Sequence, residues 1–103
     1  MQSLEKIIQA LQLFQKGKEM YVHPLDVTAV ENYLTGFRGA CSACGVEIPR
    51  KLRQQVIETR GWKHSASGPA PQMKAKGLSD PAIMDALIEI EIEQFRRLAQ
   101  QSS

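Results

Sequence analysis

Residues 81–101 read PAIMDALIEIEIEQFRRLAQQ, and six of them, Ile88, Glu89, Ile90, Glu91, Ile92 and Glu93, alternate apolar and acidic as a half-buried strand does. The alternation stops after those six. The flanks are rich in helix formers and carry no turn chemistry, while Ser79 or Asp80 followed by Pro81 is a helix start, with Leu78 placed as a hydrophobic staple. The segment is therefore read as one long helix. On a helical wheel Ile83, Met84, Leu87, Ile88, Ile90, Ile92, Phe95 and Leu98 cover an arc of about 200°, wider than the ~100° that one contact surface needs. Such a helix should touch two neighbours, and a second copy of the chain is one of them in the reading adopted here. Ile88, Ile92 and Phe95 are the expected homodimer interface.

Glu91 falls near the centre of that apolar arc, and a charge there must find a partner or neutralise. Arg38, on the rim of an earlier helix, is the expected partner, with His23 and Tyr33 as alternatives. The competing reading rotates the helix so that Glu91 reaches water at a seam. Gln94 lies near one edge of the same arc.

Upstream, Ser3 can cap a helix whose Leu4, Ile7, Ile8, Leu11 and Phe14 keep the i, i+3, i+4, i+7 rhythm up to Lys16, with Gly17 past its end. The rhythm lapses over residues 18–24, where Pro24 biases His23 away from helical geometry. Asp26 caps a second helix carrying Val27, Val30, Tyr33, Leu34, Phe37, Ala40, Cys41 and Cys44 on one half, with Glu31, Asn32, Thr35, Arg38 and Ser42 on the other. Gly36 and Gly39 each cost about 1 kcal/mol against Ala in a helix interior, so a kink, a break or a close backbone approach is expected there. Pro49 suits the first turn of a third helix bearing Leu52, Val56 and Ile57 and closed by Gly61. Residues 63–71, KHSASGPAP, form an aperiodic loop of a kind that binds something or moves, and residues 72–76 suffice for one helical turn.

The 103 residues fit one domain, and 43% hydrophobic with 23% charged is an ordinary globular balance. No apolar run approaches the ~18 residues that span a bilayer, and Glu5 and Lys6 interrupt the stretch where a signal peptide would be apolar. No membrane association and a cytoplasmic location are expected.

Cys41 and Cys44, three apart, allow three chemistries. Both can be small buried hydrophobes on the apolar face of the second helix. Thiol redox chemistry would want the first cysteine at a helix N-terminus, whereas this pair falls at the C-terminal end. Metal binding is the third, and residues 41–53, CSACGVEIPRKLR, resemble the first zinc knuckle of the DksA/TraR family, Cys-x-x-Cys-Gly-x-x-Ile-Pro before a basic helix. The resemblance covers about an eighth of the chain and implies an RNA-polymerase-binding regulator with a second cysteine pair downstream. This chain has no second pair. Its remaining soft ligands are His23 and His64, and one knuckle cannot close a tetrahedral site. Zinc is therefore not assigned; Cys41, Cys44 and His64 stay as the candidate ligands.

Over residues 50–76 seven cations, Arg50, Lys51, Arg53, Arg60, Lys63, Lys74 and Lys76, face Glu58 alone. From residue 78 onward Asp80, Asp85, Glu89, Glu91 and Glu93 outnumber Arg96 and Arg97. Arg50, Lys51 and Arg53 crowd a helix N-terminus, where the dipole disfavours them by a few tenths of a kcal/mol each. Contact with phosphates through Arg50, Lys51, Arg53, Arg60 and Lys63 is one reading, with Trp62 available for stacking. A solvated basic face, or one turned to the acidic helix, is the other. No nucleophile–base order, glycine-rich phosphate loop or convergent carboxylate pair can be assembled.

These observations lead to an all-α, single-domain bundle of about four helices over residues 1–103. The expected protein is non-enzymatic, without cofactor, and acts as a regulatory or adaptor homodimer through protein–protein contact. The alternative is a nucleic-acid-associated regulator using the basic segment, with a zinc knuckle at Cys41 and Cys44. A third class, a small-molecule sensor, would fold the 63–77 loop over a pocket containing Glu91 and Trp62.

Overall fold

The stretch with the ambiguous alternation is helical from end to end in a computed structural model that describes residues 2–101. In chain order the helices are α1 (Gln2–Lys16), α2 (Val27–Ala43), α3 (Arg50–Thr59), α4 (Ala70–Ala75) and α5 (Asp80–Gln101), with a 3-10 turn at Lys18–Met20 between the first two. No strand occurs among the described residues, so the all-α expectation holds. A fifth, six-residue helix joins the four long ones.

α5 is the axis of the bundle and is touched by α1, α2, α3 and α4. This explains its wide apolar arc. Ile83, Ile88, Ile90, Ile92 and Phe95 are all at most 2% exposed within one chain, which corrects the expected interface: Ile88, Ile92 and Phe95 belong to the subunit's own core. A helix at the centre of a bundle needs apolar residues on several sides, and its sequence reports the width of the arc, not the owner of the surface that covers it. Gln94 is also fully buried; its Nε2 donates to the Ile90 carbonyl at 3.2 Å, and its Oε1 has no partner among the described residues.

α1 contributes Leu4, Leu11 and Phe14 to the core, and Phe14 stacks on Tyr33 of α2 with ring centroids 4.0 Å apart. Two polar links tie its end and the 3-10 turn after it to α5: Gln15 Nε2 donates to Glu89 Oε1 at 3.1 Å, and Lys18 Nζ pairs with Asp85 Oδ1 at 2.8 Å. α2 is capped by Asp26, whose Oδ1 accepts from the Ala29 N–H at 2.7 Å. It runs unbroken through Gly36 and Gly39, and no neighbouring atom lies within 4 Å of where a Cβ would stand at either. The expected break or close backbone approach does not occur. Both glycines lie on the exposed side.

α3 starts after Pro49, which occupies the cap position without a side-chain hydrogen bond, and buries Leu52, Val56 and Ile57. Its end is set by Gly61 at φ +89°, which lets the Trp62 N–H return to the Ile57 carbonyl at 3.2 Å. α4 begins at Ala70, two residues earlier than the pattern suggests, and is pinned by the buried Met73. Ser79 Oγ accepts from the Ala82 N–H at 3.4 Å at the start of α5.

Candidate functional site

Three charged side chains from three helices converge beside a cavity of about 330 Å³. Glu91, on the inward face of α5, has a side chain only 2% exposed. Arg38 of α2 meets it with two donors, Nε to Oε2 at 2.9 Å and Nη2 to Oε1 at 3.3 Å, and Arg53 of α3 adds Nη1 to Oε1 at 3.4 Å. The expected partner of Glu91 is therefore the observed one. The alternatives His23 and Tyr33 make no bond to it, and the carboxylate does not reach a water-filled seam.

Arg53, expected at phosphates with the rest of the basic segment, turns toward Glu91 and the cavity, away from the exposed face that carries its neighbours. The reason is legible on the α3 wheel, where at 100° per residue Arg53 lies between Val56 and Ile57, about 60° from one and about 40° from the other. The same test that singles out Glu91 picks out Arg53. Two opposite charges, each centred in an apolar stripe, are each other's partners.

Two guanidiniums share one carboxylate, so the group carries an excess positive charge. Arg38 uses Nε and Nη2, and Arg53 uses Nη1. Arg38 Nη1 and Arg53 Nε and Nη2 bond to nothing among the described residues, and both side chains line the cavity. Burial and, after it, the Arg38 guanidinium lower the pKa of Arg53, while the charge and hydrogen bond of Glu91 oppose that shift. Guanidinium groups remain protonated across the accessible pH range, so the cavity keeps its cationic end.

The loop after α3 forms the roof. Lys63 N–H donates to Gln72 Oε1 at 2.8 Å and Gln72 Nε2 donates to the Lys63 carbonyl at 2.7 Å, a reciprocal clasp that fixes the loop's start to α4. Its far end is anchored by the buried Pro69 and Ala70. Between these anchors a turn closes with the Gly68 N–H on the Ser65 carbonyl at 3.1 Å, with Gly68 at φ +75°. Ser65, Ser67 and Gly68 face the cavity. The expectation that the loop covers a pocket containing Glu91 matches this geometry, whereas Trp62 does not line that pocket and packs half-buried against the core.

The remaining candidates are scattered. Arg50, Lys51, Arg60 and Lys63 are exposed and form no salt bridge among the described residues. Cys41 is buried and Cys44 exposed, both as free thiols. Burial first, then Cys44 and Glu91, raises the pKa of Cys41, which makes it a poor thiolate. Among the described residues no three of His, Cys, Asp and Glu stand close enough to hold a metal ion, and no helix is long and apolar enough to cross a membrane.

Glu31 carries no functional signal in the sequence, yet it lines the cavity. It sits on the polar half of α2 and, with Leu34, Thr35 and Arg38, follows the i, i+3, i+4, i+7 spacing of a single stripe that forms one cavity wall. It makes no hydrogen bond or salt bridge among the described residues, and burial raises its pKa. Comparison with protein-family models, curated proteins and solved structures gives no match.

Proposed function

We propose that this chain is a non-enzymatic regulatory protein that binds a small molecule through an anionic group, a carboxylate or a phosphate, in the cavity between α2, α3, α5 and the 65–69 loop. The observation that carries the reading is the convergence of Arg38 and Arg53, from different helices, on one carboxylate at the cavity wall with guanidinium N–H groups left over. Planar guanidinium forks suit carboxylates and phosphates, and partial burial strengthens their pull relative to a surface pair. Isotope-edited NMR titration with acetate and with inorganic phosphate tests it. The arginine side-chain Nε–Hε resonances of Arg38 and Arg53 should move with saturation, and the shifts should vanish in Arg53→Met while the thermal transition stays cooperative. Unmoved resonances with both anions would overturn the reading.

A second reading, binding of a partner protein, is supported by the apolar side chains that the fold leaves outside. Leu13 is 59% exposed, Met20 84%, Tyr21 48% and Leu25 38%, all at the end of α1 and along the connection to α2. If self-association survives as a property of the chain, this patch carries it in place of α5. Light scattering that finds a concentration-dependent mass, abolished by Met20→Asp, supports that reading; a single subunit mass throughout removes it.

A further inference from the structure

The cavity is not uniformly cationic. Arg38 and Arg53 stand at one end, and Glu31, two helical turns before Arg38, stands at the other, roughly 10 Å away along the α2 axis. Glu31 also lines an adjoining cleft that contains Asp26 and Asp80 opposite Lys74, so acidic groups accumulate on its side. Between the two ends the wall is mixed: Thr35 of α2 and Ser65 and Ser67 of the loop stand over the edges of Leu34, Leu87 and Ile90, which are themselves buried. The order along the wall is cation pair, neutral stretch, carboxylate.

We propose that the ligand is an ω-amino acid or its phosphonate counterpart, with its anionic head at Arg38 and Arg53, its ammonium at Glu31, and its methylene chain along the neutral stretch between them. This rests on the anion-binding reading and names the ligand class for the same site. A simple anion uses one end and leaves Glu31 unpaired in a half-buried place. A simple alkylamine uses the other end and leaves the guanidinium donors unused. An ω-amino acid satisfies both with one molecule. An α-amino acid with an uncharged side chain holds both its charges on one carbon and cannot reach from one end to the other.

Isothermal titration calorimetry on the full chain distinguishes the possibilities. The probes are butanoate, pentanoate and hexanoate, the ω-amino acids of the same lengths, and pentylamine. At least one ω-amino acid should bind about tenfold more tightly than the alkanoate of its length, since one charge-assisted hydrogen bond is worth about that factor. Glu31→Gln should bring that ratio to within about twofold, a readout that does not depend on the absolute affinity or stability of the variant. If alkanoates bind and the amino group adds nothing at any length, the ω-amino acid proposal is overturned and the anion site stands. If neither series binds, the anion reading itself fails. Binding of pentylamine as tight as that of 5-aminopentanoate would also overturn the proposal.

Discussion

Replacing Arg38 and Arg53 together should destabilise the protein far more than replacing Glu91, although all three belong to one ion cluster. The asymmetry follows from exposure. The Glu91 side chain is 2% exposed, while those of Arg38 and Arg53 are 23% and 25%. A guanidinium deprived of the carboxylate can still reach water, but a carboxylate deprived of both guanidiniums cannot. Arg38→Met removes two charge-assisted bonds and, discounted for partial exposure, should cost about 2 kcal/mol, and Arg53→Met, with one long contact, about 1 kcal/mol. The double variant leaves a buried bare charge and should cost about 4 kcal/mol, more than the sum, whereas Glu91→Met should cost about 1 kcal/mol and the triple methionine variant close to nothing. For a chain of this size 4 kcal/mol corresponds to a fall in Tm of roughly 15–30 °C. Urea denaturation of the single, double and triple variants measures these differences. A Glu91→Met variant as unstable as the double arginine variant would refute the argument.

Gly36→Ala and Gly39→Ala should each stabilise the chain by about 0.5–1 kcal/mol, because both sites are helical, exposed and open to a Cβ; a loss of stability in thermal unfolding would mean that α2 bends there. Gln72→Ala removes both halves of the clasp to Lys63, so exchange of loop amides should speed up and anion affinity fall, at about 1 kcal/mol of stability or less for so exposed a pair of bonds. Unchanged exchange at residues 63–68 would show that Pro69 and Ala70 hold the loop unaided. The preference for an ω-amino acid over an alkanoate should depend on pH through Glu31, whose pKa burial raises. Around it stand Arg38 on the same helix, Arg53 from α3, Lys74 from α4, Asp80 and Glu91 from α5, and the α2 cap Asp26. Only ionised Glu31 attracts an ammonium group, so the preference should be complete above that raised pKa and disappear as pH falls through it, in calorimetric titrations over a pH series. A preference that persists at low pH would place the ammonium elsewhere.

Helix positions were legible because each long helix carries its own apolar rhythm and its own punctuation, such as Asp26 before α2 and Gly61 after α3. The Arg38–Glu91 pair was legible for a different reason. A charge in the middle of an apolar arc has to be satisfied, and few cations lie on the rims of the other helices. What covers α5 was not legible. An arc of 200° looks the same whether its second side meets another subunit or the remaining helices of its own chain, and only the packing of α1, α3 and α4 decides. Arg53 was obscured by company: among seven cations it was read as part of a basic run, although its own helix placed it with Val56 and Ile57. Glu31 carried no such signal, since a carboxylate on the polar half of a helix becomes notable only when a loop from elsewhere closes over it.

The cavity matters to the interpretation of the charges beside it. A core this small gains from hydrocarbon, and a buried ion group is commonly no more stabilising than well-packed methionine or leucine of similar volume. If the group served only to fix how α2, α3 and α5 align, every donor would be directed at Glu91 and the surrounding space would be filled. Instead the guanidiniums spend three donors on the carboxylate and turn toward an open volume whose roof is a clasped polar loop and whose far wall holds a second, unpaired carboxylate. In that arrangement Glu91 aligns the two arginines and keeps them from repelling each other, while their unused N–H groups remain for a ligand. The same carboxylate that makes the group tolerable inside the fold thus limits it to a single excess positive charge, which suits a monoanionic head better than a dianionic one.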